Sequence, residues 1–187
     1  MTSPYELRVG LALLREKKRC IEVANHQGPL EAWSALVVMI GPYRCVVRQD
    51  EVDEVIAPGK LTRVLGMPDW MLGIGYFRGR LLNVIDGRMF FLGNTSGQVS
   101  NPASRILVVQ GQEEWFGIKV DELLGIRHVW SDSAYVTLIS EQMDTWRGYA
   151  EQCIEMEGEM MPVLQARQLM RGLEQRGVPE PKLGITV

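Results

Sequence analysis

Turn signals cut this chain into short β-rich runs, and that punctuation restricts it to a mainly β architecture. Residues 35–40 and 43–47 are apolar, β-branched runs separated by Gly41-Pro42, a hairpin corner. After Val52, Val55 and Ile56 the chain breaks at Pro58-Gly59. Residues 61–65 read as a further strand, and residues 68–73 as a short helical turn ending at Gly73. Residues 74–78 and 81–85 flank Gly79-Arg80, a hairpin signature. A short helical stretch over residues 87–92 ends at Gly93. Strand texture resumes at residues 105–110 and 115–120, and again on both sides of Glu157-Gly158, before a helix that starts at Gln165. Strands do not alternate with helices, so a parallel α/β sheet is excluded and paired barrels or a sandwich remain.

A faint repeat favours two similar lobes. Gly79-x-Leu81-Leu82-x-Val84-Ile85 and Gly158-x-Met160-Met161-x-Val163-Leu164 share a pattern, and each is followed by a short helix. Asp50-Glu51-Val52 similarly parallels Asp121-Glu122-Leu123. Residues 93–102 are polar and rich in Gly, Ser and Asn, which makes them the best linker candidate. Ahead of the strands, Ser3, Pro4 and Glu6 form a helix start, and Leu7, Leu11 and Leu14 recur at helical spacing before a charged run at residues 15–19. The predicted organisation is a helical extension over residues 1–32, paired β lobes over residues 33–172, and a loose tail over residues 173–187.

The chemistry present excludes several classes of function. Twenty basic and 23 acidic residues give a net charge of −3, no footprint for nucleic acid or an anionic membrane. No apolar run approaches the roughly 20 residues a membrane span needs, so direct membrane insertion is not expected. Glu6 and Arg8 interrupt the N-terminal apolar stretch, which is unlike a secretory signal, so the cytoplasm is the expected compartment. Cys20, Cys45 and Cys153 lack paired short spacing and read as reduced thiols. His26 and His128 belong to no site pattern, and no nucleophile elbow, phosphate loop or zinc-spaced set is present. Gly73-Ile74-Gly75 lacks the third glycine of a dinucleotide loop and precedes a strand. Glu51, Asp53, Glu54, Asp121 and Glu122 read as solvated faces between buried Val52, Val55 and Leu123 rather than acid/base pairs. No cofactor or metal is expected, and the working parts should be surfaces.

The run Leu61-Thr62-Arg63-Val64-Leu65-Gly66-Met67-Pro68-Asp69-Trp70-Met71-Leu72-Gly73-Ile74-Gly75-Tyr76-Phe77-Arg78-Gly79-Arg80-Leu81-Leu82-Asn83-Val84-Ile85-Asp86 resembles the signature of CheW-like domains. Val52-Asp53-Glu54-Val55 upstream, with Arg105-Ile106-Leu107-Val108-Val109 and Phe116-Gly117-Ile118-Lys119-Val120-Asp121 downstream, resemble further family blocks in the same order. Tyr76, Asn83 and Gly87 depart from the family pattern, where Asn, Pro and Leu are usual. The resemblance implies two small five-stranded, SH3-like barrels packed around a shared core. It also implies a non-catalytic adaptor that joins a methyl-accepting chemoreceptor to a CheA-type histidine kinase. Val52, Glu54, Arg78 and Gly79 are the positions it assigns to partner contacts, and the alternative for Arg78 is an ion pair with a nearby carboxylate that fixes the hairpin. The leading helix and Glu31-x-Trp33-Ser34 resemble the branch that serves type IV pilus twitching motility. Two rival readings are an enzyme with its site in the cleft between the lobes and a regulatory fragment cut from a larger kinase or fused to a receiver, the receiver being disfavoured because the chain does not read as βαβ. The missing reaction centre and nucleotide loop speak against both.

Overall fold

A computed structural model of the chain describes residues 32–93, 101–111, 114–130, 135–137, 149–150 and 152–176. In chain order it contains β1 (Ala32–Ile40), β2 (Tyr43–Arg48), a 3-10 turn (Gln49–Glu51), β3 (Glu54–Ile56), β4 (Met71–Phe77) and β5 (Arg80–Asp86). The helix α1 (Gly87–Leu92) follows, then β6 (Arg105–Gln110), β7 (Trp115–Val120), β8 (Glu122–Trp130) and β9 (Tyr135–Thr137). Last come β10 (Gln152–Met156), β11 (Glu159–Leu164) and α2 (Ala166–Arg176). The predicted helix over residues 3–18, with Cys20 and His26, and the tail beyond residue 176 lie outside the described residues.

The strands form two sheets, one in the order β8-β1-β2-β11-β10-β9 and one in the order β3-β6-β7-β5-β4. Each is the frame of one lobe, as the two-lobed reading expects, although six strands rather than five make up the first. The lobes do not follow one another in sequence. The chain starts the six-stranded sheet, leaves it for all five strands of the other, and returns at β8. The linker candidate at residues 93–102 therefore joins α1 to β6 in sequence rather than one sheet to the other, and its residues 94–100 lie outside the described residues.

Continuous apolar runs in β1 and β6 follow from burial of both strand faces. Leu36, Val38 and Ile40 of β1 enter a core shared by the two sheets, and Leu107 and Val109 of β6 meet them there. The alternate residues Ala35 and Val37 pack inside the six-stranded lobe, while Ile106 and Val108 pack inside the five-stranded one. Full burial of each such aliphatic side chain contributes about 1.5–3 kcal/mol, so this two-faced pattern fixes β1 and β6 each between the shared core and the core of its own lobe. Cys45 belongs to the shared core, and both it and Cys153 are buried.

The two hairpins of the repeat are both present. Arg78-Gly79 connects β4 to β5 and Glu157-Gly158 connects β10 to β11. All four residues have positive φ, between 49° and 80°, the left-handed geometry that two-residue hairpin loops demand. The first turn thus lies one residue earlier than the Gly79-Arg80 reading. Two other expectations are corrected. Residues 61–65 form no strand, only an isolated bridge from Thr62 to Ile74. Residues 71–73 are the start of β4, not a helical turn, because Met71 and Gly73 pair with Ile85 and Val84 across a bulge. The helix from Gln165 is α2, and it runs to Arg176, past the predicted domain boundary at residue 172.

Candidate partner-binding surface

Arg78 occupies the first left-handed position of the β4–β5 turn, which sends its side chain out from the sheet. The guanidinium donates through Nη2 to Glu54 Oε2 at 2.5 Å and lies 5.2 Å from the centre of the Phe77 ring. Glu54 begins β3, and β3 and β4 are the two ends of the strand order. The pair therefore links opposite ends of the five-stranded sheet, which must curl to bring them together. The Thr62–Ile74 bridge acts in the same sense: paired backbone bonds of 2.8 and 2.9 Å draw the chain beyond β3 against β4. Gly73 makes that approach tolerable, since a Cβ there would stand 2.4 Å from the Thr62 carbonyl oxygen.

Three of the four predicted contact residues, Glu54, Arg78 and Gly79, thus meet at one exposed corner. The Arg78 side chain is 73% exposed and that of Glu54 37%. Gly79 has open space around its Cβ position, so its backbone angle alone demands glycine. Val52 ends the 3-10 turn, donating its amide to the Gln49 carbonyl, and is half-buried against the shared core. It faces the shared core rather than the exposed corner.

Sequence reasoning treated Tyr76 only as a departure from a pattern. It is 79% exposed on the edge strand β4 and stands opposite Leu81, also exposed, so the two share one outer face beside the turn. Strand alternation across Ile74, Tyr76 and Leu81 was the available signal. Asn83, the second departure, donates to Glu114 at 2.7 Å, and Gly87 at the start of α1 allows the Lys119 carbonyl within 2.8 Å of its Cβ position.

Of the acidic residues read as solvated faces, Glu51, Asp53, Glu54 and Asp121 have defined partners. Glu51 accepts from the Arg167 amide near the start of α2, and Asp53 accepts from the Gln110 amide at 2.7 Å. Asp50 accepts two bonds from Arg48, whose guanidinium holds that carboxyl below the usual carboxylate range. Asp86 caps α1 through the Met89 amide. These carboxylates hold elements in place. Among the described residues no set of three His, Cys, Asp or Glu side chains could hold a metal ion, and no helix is long and apolar enough to cross a membrane. The space between the sheets is filled by the shared core. Among the described residues a pocket lies in the six-stranded lobe, lined by apolar Val37, Leu124, Met156 and Met161 and by charged Arg44, Arg127 and Glu157.

Comparison with known proteins places this geometry in context. Residues 34–174 match the model of the CheW-like domain. The chain is 29% identical to "Protein PilI" of Pseudomonas aeruginosa over 130 residues, covering 67% of this chain and 69% of that one. Its fold is similar to the crystal structure of the scaffolding protein TtCheW from Thermoanaerobacter tengcongensis, with a TM-score of 0.65 at 21% identity, covering 78% of this chain and 91% of the other.

Proposed function

The chain belongs to the CheW-like domain family, and from that premise we propose that it is a non-catalytic adaptor coupling a methyl-accepting chemoreceptor to a CheA-type histidine kinase. The observation that carries this reading is the family match over residues 34–174, which spans both lobes and both hairpins. The likeness to the Pseudomonas protein supports the branch that controls type IV pilus twitching motility, acting in the cytoplasm. The interior between the sheets is packed with apolar side chains, which favours work done at surfaces over turnover in an inter-lobe cleft.

The corner of Glu54, Arg78 and Gly79, with Val52 two residues before Glu54, is the proposed partner contact. A guanidinium presents several planar donors, suited to a carboxylate or backbone carbonyl of a partner. Its ion pair with Glu54 is solvent-exposed and so worth little, which leaves it easy to exchange. Tyr76 and Leu81 add exposed apolar area close by.

The deciding experiment mixes the purified chain with the CheA-type kinase and the receptor's cytoplasmic tip from the same cell, and follows complex formation by gel filtration and titration. A ternary assembly that turns over ATP only when kinase is present is the expected result. Failure to bind either protein would remove the adaptor reading.

A further inference from the structure

In β8, Ile126 stands opposite Leu36 of β1, and Trp130 stands opposite Ala32. Cross-strand partners share a face, and so do residues two or four apart along a strand. Leu36 is buried in the shared core, so Ile126 and Trp130 carry the same apolar face outward. They sit on a strand at the end of its sheet order and remain 49% and 53% exposed. His128 lies between them on the same face and is exposed too, and two exposed apolar side chains flanking it on an edge strand are a liability that proteins ordinarily cover.

The chain preceding β1 enters at Ala32, directly opposite Trp130. Its sequence carries Leu7, Leu11 and Leu14 at helical spacing, an apolar stripe that itself needs a cover. Seventeen residues separate Leu14 from Ala32. Extended, they could reach about 55 Å, against about 13 Å from Ile126 to Trp130, so the length permits a return. A tether this short gives the stripe an effective concentration on the order of millimolar at β8, far above that of a second copy in a micromolar solution. We propose that residues 1–31 fold back onto β8 and seat the Leu7–Leu11–Leu14 stripe against Ile126 and Trp130, completing the rim of the shared core. This inference does not depend on the adaptor reading.

Cross-linking in the full chain tests it. Leu11→Cys is combined with Ile126→Cys, with Cys20→Ser in the background and the buried Cys45 and Cys153 retained. A short bis-maleimide should join the pair within one chain at least about ten-fold faster than a control pair of Leu11→Cys with Leu65→Cys, whose site is fully exposed and elsewhere. Equal rates, or links formed only between two chains, would overturn the proposal; the second result would identify another copy as the occupant. In the otherwise native chain, Leu11→Asp should speed hydrogen exchange of the amides around Ile126 and Trp130 about ten-fold while the shared core is unaffected, with Leu11→Ala smaller in the same direction. Unchanged exchange in both variants would also overturn it.

Discussion

The backbone amide of Gly41 donates to Asp121 Oδ2 at 2.6 Å, across 80 positions of sequence. Gly41 lies in the β1–β2 turn of the six-stranded sheet. Asp121 lies where the chain leaves β7 of the other sheet to begin β8. Arg88 of α1 stands 3.5 Å from the same carboxylate oxygen, and the Asp121 amide donates to the Met39 carbonyl at 2.9 Å. One side chain thus holds the junction of the two lobes, from a position that the family resemblance marked only as the end of a motif.

Asp121→Ala should lower unfolding free energy by about 1–3 kcal/mol, because it leaves a half-buried amide without its acceptor. Asp121→Asn, which keeps an acceptor oxygen but loses the charge facing Arg88, should cost less. Urea unfolding of both variants checks the order. An alanine variant within about 0.5 kcal/mol of the parent would show that the contact contributes nothing at the junction.

Two glycines with positive φ should respond differently to the same substitution. At Gly73, with φ of 136°, an added Cβ would meet the Thr62 carbonyl oxygen at 2.4 Å, so the bridge to β4 must open. At Gly79, with φ of 79°, nothing stands within 4 Å and only backbone strain remains. Gly79→Ala should therefore cost about 1 kcal/mol and Gly73→Ala clearly more, above about 2 kcal/mol. Melting temperatures of the two variants decide it. Equal shifts would mean that the close approach of Thr62 does not govern Gly73.

The fold was legible where pattern and turn chemistry agreed. Gly41-Pro42, the Arg78-Gly79 region and Glu157-Gly158 each separate runs that pair as hairpins. The order of the lobes was not legible, because an internal repeat reports similarity and not connectivity. β8 is not legible in the sequence: Glu122–Trp130 mixes charged and apolar residues, contains Gly125 with φ of 138°, and is bulged against β1. Its identity comes from pairing with a strand about 90 residues earlier, a tertiary effect that overrides local propensity. At the site, Glu54 and Arg78 were legible through the family blocks. An ion pair of Arg78 with some carboxylate was legible as the alternative reading, but Glu54 as the partner was not, since that depends on the curl of a sheet whose ends the two residues occupy.

Cys45 offers a test of the shared core. Burial pushes its thiol well above the ordinary cysteine range, and the nearby Cys153 adds in the same direction. The reactive thiolate is therefore scarce at neutral pH, and access is closed as well. A thiol reagent at pH 7.4 should label Cys45 only after unfolding, as read by mass spectrometry of labelled peptides. Labelling of native Cys45 at the rate of a free peptide thiol would show that the core opens locally.

The final prediction separates structure from recognition at Arg78. Its pair with Glu54 is short, at 2.5 Å, yet the guanidinium is mostly exposed, so screening and side-chain entropy limit its worth. Arg78→Ala, Glu54→Ala and the double variant should each change stability by less than about 1 kcal/mol, with a coupling energy under about 0.5 kcal/mol. If the corner is a binding hot spot, Arg78→Ala should weaken association with the kinase or the receptor by more than about 1 kcal/mol. Arg78→Lys should recover only part of that loss, since an ammonium cannot reproduce the planar donor array. Glu54→Ala frees the guanidinium, so its effect on binding should be smaller than that of Arg78→Ala, or opposite in sign. Thermal melting and a binding titration on the same four proteins give both readouts. A large melting shift with unchanged association would make the pair a structural tie between the ends of the sheet and remove Arg78 from the contact surface.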